Sequence, residues 1–134
     1  MTGYSGTPLV KKLGIAPSSR VLVIDAPDGY RALLEGLPEG VQFVRAPSGA
    51  TDLAHTFFTK KSHMAKTLAT LRRKLPPAAV IWVSWPKKSS RVATDITEDT
   101  VRDVALPLGL VDVKVCAIDE VWSGLKLVVR KELR

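Results

Sequence analysis

The length, composition and charge of the chain limit what it can be. Its 134 residues are 46% hydrophobic and 25% charged, which fits one globular domain and excludes a disordered chain. Lys and Arg number 20 against 13 Asp and Glu, and the formal net charge of +7 attracts polyanions.

The compartment and domain organisation follow from what the sequence lacks. No apolar run approaches the about 18 residues of a membrane span, and the first residues lack the charged-then-apolar pattern of a secretion signal. The single cysteine, Cys116, cannot form an internal disulfide, which favours a reducing compartment. We therefore expect one cytoplasmic domain over residues 1–134, with an N-terminal arm and short helix over 1–14 and no membrane partner.

Hydrophobic patterning divides the chain into alternating strands and helices. Continuous apolar runs predict strands that are covered on both faces, whereas apolar residues at helical spacing predict amphipathic helices. In chain order the predicted elements are a helix over 7–14, a strand over 20–25, a two-turn helix over 30–37, strands over 41–44 and 52–58, a helix over 62–75, a strand over 79–85, a helix from Thr97 to Pro107, and strands over 111–118 and 125–130.

Several residues predict where these elements begin and end. Thr7 is a candidate cap for the first helix, and Gly14 suits the left-handed residue that ends it. Thr97 is a candidate cap for the last helix, with Ile96 and Val101 as a hydrophobic staple. The final two strands alternate apolar and polar residues and are expected to form an antiparallel hairpin through a glycine-containing turn over 122–124.

This order of elements predicts a doubly wound, mostly parallel α/β sheet of about six strands with an antiparallel C-terminal end. It resembles the fold of class I S-adenosylmethionine-dependent methyltransferases. Three segments carry the similarity. Residues 21–29 are a strand that ends in an acidic, glycine-containing turn, and residues 71–85 are a helix that ends in Pro-Pro and leads into a strand. Residues 108–129 are a short helix followed by a hairpin. The resemblance implies the strand order 2-1-3-4-6-5 and a truncated version of that fold.

The turn that would meet the methyltransferase cofactor departs from the family's pattern. The segment 25–29 has one glycine, and Pro27 has no N–H to offer. The second strand is followed by Arg45, where a carboxylate is wanted for the ribose hydroxyls. We therefore expect no cofactor and no methyltransferase activity, although the sequence leaves open whether the domain is an enzyme of another kind.

The chain also resembles a bacterial family that is classed as a domain of unknown function. The segments that carry this resemblance are 4–9, 82–90 and 108–117. They imply no activity.

The carboxyl ends of the predicted parallel strands form the candidate site, because open α/β sheets bind ligands there. Lys-Lys pairs follow two neighbouring strands, hydroxyls lie beside them, and the helix that begins at Thr97 would add N–H groups, which together suit an anion. The alternative is a set of solvated charges. The candidate ligand-binding residues are Asp25, Asp28, Lys60, Lys61, Trp85, Lys87, Lys88, Ser89, Ser90 and Arg91.

The leading hypothesis is a non-catalytic, methyltransferase-like module that binds an anionic small molecule or a partner protein at this edge. No catalytic residue and no metal site are assigned, and His55 within an apolar strand is expected to be a core residue. One alternative is a nucleic-acid-binding module that also uses the basic segment 72–74. The other is a small enzyme with Asp25, Asp28 or His55 as its base.

Overall fold

The computed structural model describes residues 7–134, so the first six residues of the predicted arm lie outside the described part of the chain. The elements are α1 (Leu9–Leu13), β1 (Arg20–Ile24), a 3₁₀ turn (Tyr30–Leu33), β2 (Gln42–Val44), β3 (Leu53–Phe57), α2 (Lys61–Lys74), β4 (Val80–Pro86), a 3₁₀ turn (Lys88–Ser90), α3 (Glu98–Ala105), a 3₁₀ turn (Leu106–Leu108), β5 (Leu110–Ala117), β6 (Trp122–Val129) and a 3₁₀ turn (Lys131–Leu133).

The strands form one six-stranded sheet in the order β2-β1-β3-β4-β6-β5, as predicted. The pairs among β1, β2, β3 and β4 are parallel, whereas β6 is antiparallel to both β4 and β5. The carboxyl ends of β1, β3 and β4 therefore lie side by side at one edge of the sheet. The C-terminal end of β5 reaches the same edge, because Ala117 pairs with Ser123 and Trp85 pairs with the same serine.

Both faces of the sheet are covered, which explains the continuous apolar runs of its central strands. The helices α2 and α3 cover one face, where Leu68 and Val101 belong to the same buried core as Val83. The helix α1 and the segment around Tyr30 cover the other face, which contains Trp82. Trp82 and Trp85 lie in different cores, as expected for strand positions three residues apart. None of the described helices combines the length and the hydropathy that crossing a membrane requires.

The helix ends confirm one predicted cap and correct another. Thr97 caps α3 in a reciprocal pair with Thr100, in which each hydroxyl accepts from the other residue's backbone N–H at 3.3 and 3.0 Å. Gly14 ends α1 in the left-handed conformation, also as predicted. The predicted cap by Thr7 is wrong, because the residue that precedes α1 is Pro8.

The predicted two-turn helix over 30–37 is wrong, since only Tyr30–Leu33 forms a single 3₁₀ turn. Leu34 leaves the helical conformation, and Gly36 takes a left-handed φ of 78°. The apolar spacing still reflects burial, because Tyr30 and Leu34 are both buried. Glycine destabilises a helix, which is consistent with the helix ending before Gly36. The apolar residues are buried although the helix does not continue.

The hairpin between β5 and β6 is confirmed, but its turn is not where the glycine predicted it. The turn is 118–121, where the Asp119 carboxylate accepts from the N–H groups of Val121 and Trp122, both at 2.8 Å. Gly124 lies inside β6 instead. A Cβ there would lie 2.8 Å from Ile118 Cδ1 and 3.3 Å from the Trp82 ring, so the glycine permits close packing.

We expect Gly124→Ala to destabilise the protein by about 1–3 kcal/mol, because the added methyl must displace Ile118 and press on Trp82. Urea denaturation monitored by circular dichroism measures the change. Gly49→Ala is the matched control, since its added Cβ would meet nothing within 4 Å, and its midpoint should not fall. Equal midpoints for the two variants would contradict the packing argument.

Candidate functional site

The segment after β4 forms a pocket at the carboxyl edge of the sheet. A 3₁₀ turn over Lys88–Ser90 is followed by Arg91 in the left-handed conformation, and the chain then turns back towards α3. The Lys87 N–H donates to the Val121 carbonyl at 2.7 Å, which ties this segment to the hairpin turn. The local fold thus holds a loop of cations against the end of the sheet.

This loop and its neighbours enclose an open pocket of about 580 Å³, which we call the edge pocket. Four of the ten predicted site residues line it. Its other walls are apolar or hydroxyl-bearing, and its single lining carboxylate, Glu98, forms an ion pair with Arg102. The predicted residues in the lining are Trp85, Lys87, Lys88 and Arg91; the others are Pro86, Val92, Ala93, Thr94, Ile96, Thr97, Glu98 and Ser123.

Ser90 has a structural role in the same loop. Its hydroxyl donates to the Lys87 carbonyl at 2.6 Å and accepts from the Val92 N–H at 3.2 Å. Neither Ser89 nor Ser90 is part of the pocket lining. The Thr100 N–H at the start of α3 is likewise already bonded to the Thr97 hydroxyl, so the helix offers fewer free N–H groups than the sequence suggested.

Lys60 and Lys61 follow β3 and lie outside the lining of the edge pocket, but their segment supports its wall. The Lys61 N–H donates to the Asp95 carboxylate at 2.7 Å. The Thr94 hydroxyl and the Asp95 N–H both donate to the Thr59 carbonyl, at 2.7 and 3.3 Å. Residues 94–95 therefore join the pocket wall to the end of β3.

Asp25 and Asp28 follow β1 and also lie outside the edge pocket. The Asp25 carboxylate is 2.9 Å from Nε2 of His63, and both side chains are more than half exposed. Asp25 itself has a left-handed φ of 57°. Asp28 precedes Gly29 in the next turn. Four of the ten predicted residues thus line one pocket, whereas the two aspartates, the first lysine pair and the two serines lie outside its lining.

The prediction that His55 is a core residue is confirmed, and the structure adds its partners. His55 Nδ1 lies 2.8 Å from the Tyr30 hydroxyl and its Nε2 lies 2.9 Å from the Ser84 hydroxyl. All three side chains are buried. Burial lowers the pKa of His55 to about 3 and raises that of Tyr30 above its ordinary value. His55 is therefore a buried, hydrogen-bonded core residue, and the alternative that it acts as a catalytic base stays a hypothesis.

Sequence reasoning missed this buried network, although a signal was present. His55 and Phe57 on β3 share a face, and the parallel register sets Phe57 opposite Ser84 on β4. A polar residue at an inward position of each of two neighbouring strands therefore indicates a hydrogen-bonded pair. Among the described residues no group of three His, Cys, Asp or Glu side chains could hold a metal ion.

Solved structures give the relation of this fold to known proteins. No protein-family model matches the chain, and the search of curated proteins returned no match. A SAM-dependent methyltransferase from Aquifex aeolicus superposes with a TM-score of 0.64 at 15% identity, covering 95% of this chain and 90% of that one. A protein described as a possible exported protein from Bordetella parapertussis gives 0.64 at 10% identity, covering 90% and 64%.

A tRNA methyltransferase from B. subtilis gives a TM-score of 0.58 at 9% identity, covering 92% of this chain and 66% of that one. The chain thus spans most of the Aquifex protein but about two thirds of the other two. At these identities the likeness shows the fold alone. The chain has the predicted truncated, methyltransferase-like α/β fold, and its resemblance to the bacterial family of unknown function rests on the sequence segments only.

The turn after β1 does not fit the cofactor that this fold commonly carries. The N–H groups of Tyr30 and Ala32 donate to carbonyls inside the turn, at 3.2 and 3.1 Å. A single 3₁₀ turn stands where a helix would offer its N–H groups. Beside it the Arg31 guanidinium lies 3.8 Å above the Phe43 ring. An open pocket of about 400 Å³ does lie at this turn, lined by Val23, Ala26, Pro27, Gly29, Tyr30, Arg31, Ala32 and Phe43. Its lining has no carboxylate for the ribose hydroxyls and two of its N–H groups are already bonded, so the residues present fit S-adenosylmethionine poorly.

Proposed function

We propose that this protein is a non-catalytic domain of methyltransferase-like fold that binds an anionic small molecule in the edge pocket. The observation that carries the proposal is the lining itself, in which Lys87, Lys88 and Arg91 contribute three cations to an open pocket with Trp85 in its wall, and the one lining carboxylate, that of Glu98, is paired with Arg102. The pocket at the turn after β1 has no carboxylate in its lining, and the Tyr30 and Ala32 N–H groups there are already bonded, so it does not favour a cofactor-dependent reaction. The edge pocket is therefore a place to hold a ligand rather than to transform one.

The lining defines the chemistry of the ligand. Two ammonium groups and a guanidinium favour a phosphate, which accepts several charge-assisted hydrogen bonds. Trp85, with 6% of its surface exposed, and the side chain of Ile96 give the pocket an apolar wall. A volume of about 580 Å³ is in the range of small-molecule sites. The ligand that fits best has a planar or apolar body and one or two phosphates, as a nucleotide has.

The loop that forms the pocket is held in place by its own hydrogen bonds. Ser90 bridges Lys87 and Val92, and Thr94 is bonded to Thr59 on the neighbouring strand end. Because the loop is already ordered, a ligand would bind without the cost of ordering it. This preorganisation supports binding as the function of the segment.

Thermal shift and calorimetric titration of the full chain with AMP, pyrophosphate and S-adenosylmethionine test the proposal. We expect AMP to raise the melting temperature and a Lys87→Ala/Lys88→Ala double variant to lose most of that shift, because both ammonium groups line the pocket. Lys66→Ala/Lys74→Ala removes the same charge from the exposed side of α2 and should keep the shift.

Two results would overturn the proposal. One is the absence of binding by AMP and pyrophosphate at millimolar concentration, which leaves a partner protein as the occupant. The other is tight binding of S-adenosylmethionine with transfer of its methyl group, which would make the domain an enzyme.

The nucleic-acid alternative has less support from the basic segment at the end of α2. Arg72 Nε donates to the Leu108 carbonyl at 3.0 Å and Arg73 Nη1 donates to the Ala69 carbonyl at 3.3 Å, so both guanidinium groups have structural partners. RNA binding that falls steeply with salt and that is unchanged in the Lys87→Ala/Lys88→Ala variant would favour this alternative.

A further inference from the structure

A second group of cations lies on the other face of the sheet, beside α1. Lys11 and Lys12 in α1 and Lys114 in β5 line an open pocket of about 610 Å³, which we call the lysine pocket. Its remaining described lining is Thr7, Val115, Cys116 and Ala117, none of which is acidic. The pocket shares no lining residue with the edge pocket.

Contacts of two of these lysine side chains place them beside the end of the sheet. Lys12 Nζ donates to the Ala117 carbonyl at 3.3 Å, and Lys114 Nζ lies 5.9 Å from the centre of the Trp82 ring. Burial raises the pKa of the half-buried Cys116 thiol, and the charges of Lys12 and Lys114 act in the opposite direction. Lys12, Lys114 and Cys116 also line the same pocket.

The pairing of β5 with β6 places like charges opposite each other. Lys114 and Lys126 are register partners across the antiparallel pair. Like charges at directly opposed positions destabilise a sheet. Within residues 7–134 no carboxylate forms an ion pair with either of these two lysines. A bound anion would offset this repulsion.

Because β5 is an edge strand, a strand of a partner protein is another candidate occupant of this region. However, β5 is poorly suited to pairing with an added strand. Val113 has no register partner on β6, because the pairing shifts between Asp112 and Lys114. Such a bulge bends an edge strand, and a lysine on it discourages further strand pairing. The cationic side of β5 that lines the lysine pocket is therefore better suited to a ligand than its backbone edge is.

We propose that the lysine pocket is a phosphate-binding site. Three ammonium groups around one concavity can donate to a tetrahedral phosphate monoester or diester. The group could be supplied by a small phosphorylated molecule or by the backbone of a nucleic acid. The site does not depend on the edge pocket, because it lies on the α1 face and Trp85 lies in the core of the opposite face.

Cys116 makes the proposal testable, because it is the only cysteine in the chain and it lines this pocket. Alkylation of the thiol by neutral iodoacetamide proceeds through the thiolate, which the nearby ammonium groups stabilise. A bound phosphate cancels part of that charge and covers the pocket. We expect millimolar inorganic phosphate to slow alkylation about threefold relative to sodium chloride of equal ionic strength.

Charge-removing variants complete the test. Lys11→Gln/Lys114→Gln should lose the phosphate effect on the alkylation rate, and Lys66→Gln/Lys74→Gln on α2 should keep it. A single Lys114→Gln variant, with melting temperature as a check of folding, replaces the double variant if that one folds poorly. An equal rate in phosphate and in chloride would overturn the proposal, as would a full phosphate effect in Lys114→Gln.

A second titration distinguishes a small phosphorylated molecule from a nucleic acid as the source of the phosphate. The first outcome is that a short single-stranded RNA slows alkylation at micromolar concentration, whereas inorganic phosphate does so only at millimolar concentration. This outcome identifies a nucleic acid as the ligand. The second outcome is that AMP and the RNA slow alkylation equally at the same molar concentration, which identifies a small phosphorylated molecule as the ligand. Both outcomes support the site, and the absence of an effect from all three compounds contradicts it.

Discussion

At about pH 4.5 the free energy of unfolding should be about 2 kcal/mol lower than at neutral pH because of His55 alone. The folded protein keeps this imidazole neutral, since burial lowers its pKa from 6.5 to about 3. In the unfolded chain the same group takes up a proton below about pH 6.5. Between these two pKa values the unfolded state binds one proton more than the folded state, so stability decreases as the pH falls.

Urea denaturation at intervals from neutral pH to about pH 4.5 measures this dependence. His55→Gln is the informative variant, because an amide can bond to Tyr30 and Ser84 but does not titrate. The variant should be less stable at neutral pH and should show a flatter profile above about pH 5, where carboxylates remain ionised. A profile as steep as that of the wild type would assign the acid sensitivity to other groups.

Replacing Trp82 should cause the largest loss of stability, because this side chain joins α1 to the sheet. It is fully buried, and its Nε1–H donates to the Leu13 carbonyl at 3.0 Å. We expect Trp82→Ala to cost about 3–5 kcal/mol through the cavity it leaves. Trp82→Phe should cost about 1–3 kcal/mol, since it leaves that buried carbonyl without its donor.

Trp122→Phe is the matched control for the Trp82 variants. Trp122 is only partly buried and packs edge-on against Phe57, so its replacement should cost less. Denaturation midpoints rank the variants, and hydrogen exchange of the α1 amides in Trp82→Phe reports whether the helix has loosened. Equal midpoints for Trp82→Phe and Trp122→Phe, with unchanged exchange in α1, would show that the Leu13 bond contributes nothing.

The sheet could be predicted from the sequence because its determinants are local and strong. Apolar runs such as 79–85 permit few structures other than a strand buried on both faces. Once the strands and helices alternate, the rules for crossover connections leave few strand orders. The cap at Thr97 was predictable for the same reason, since it depends on residues adjacent in sequence.

The parts that could not be predicted depend on contacts between distant segments. Gly124 resembled a turn residue, but its role is set by Ile118 and Trp82 packing against it. The four candidate residues that line the edge pocket are close in sequence, but its opposite wall is held by bonds from residues 94–95 to the end of β3, a link that no local pattern encodes. The lysine pocket likewise requires α1 and β5, which are about a hundred positions apart in sequence.

The short turn between β5 and β6 has a further consequence for the proposed ligand site. Asp119 orders this turn, and the Val121 carbonyl in it holds the Lys87 backbone at 2.7 Å. The position of Lys87 in the edge pocket thus depends on a hairpin turn whose residues 118–121 are not part of the pocket lining. Substitutions in that turn therefore offer a way to change the affinity for the proposed ligand without changing a cation in the lining.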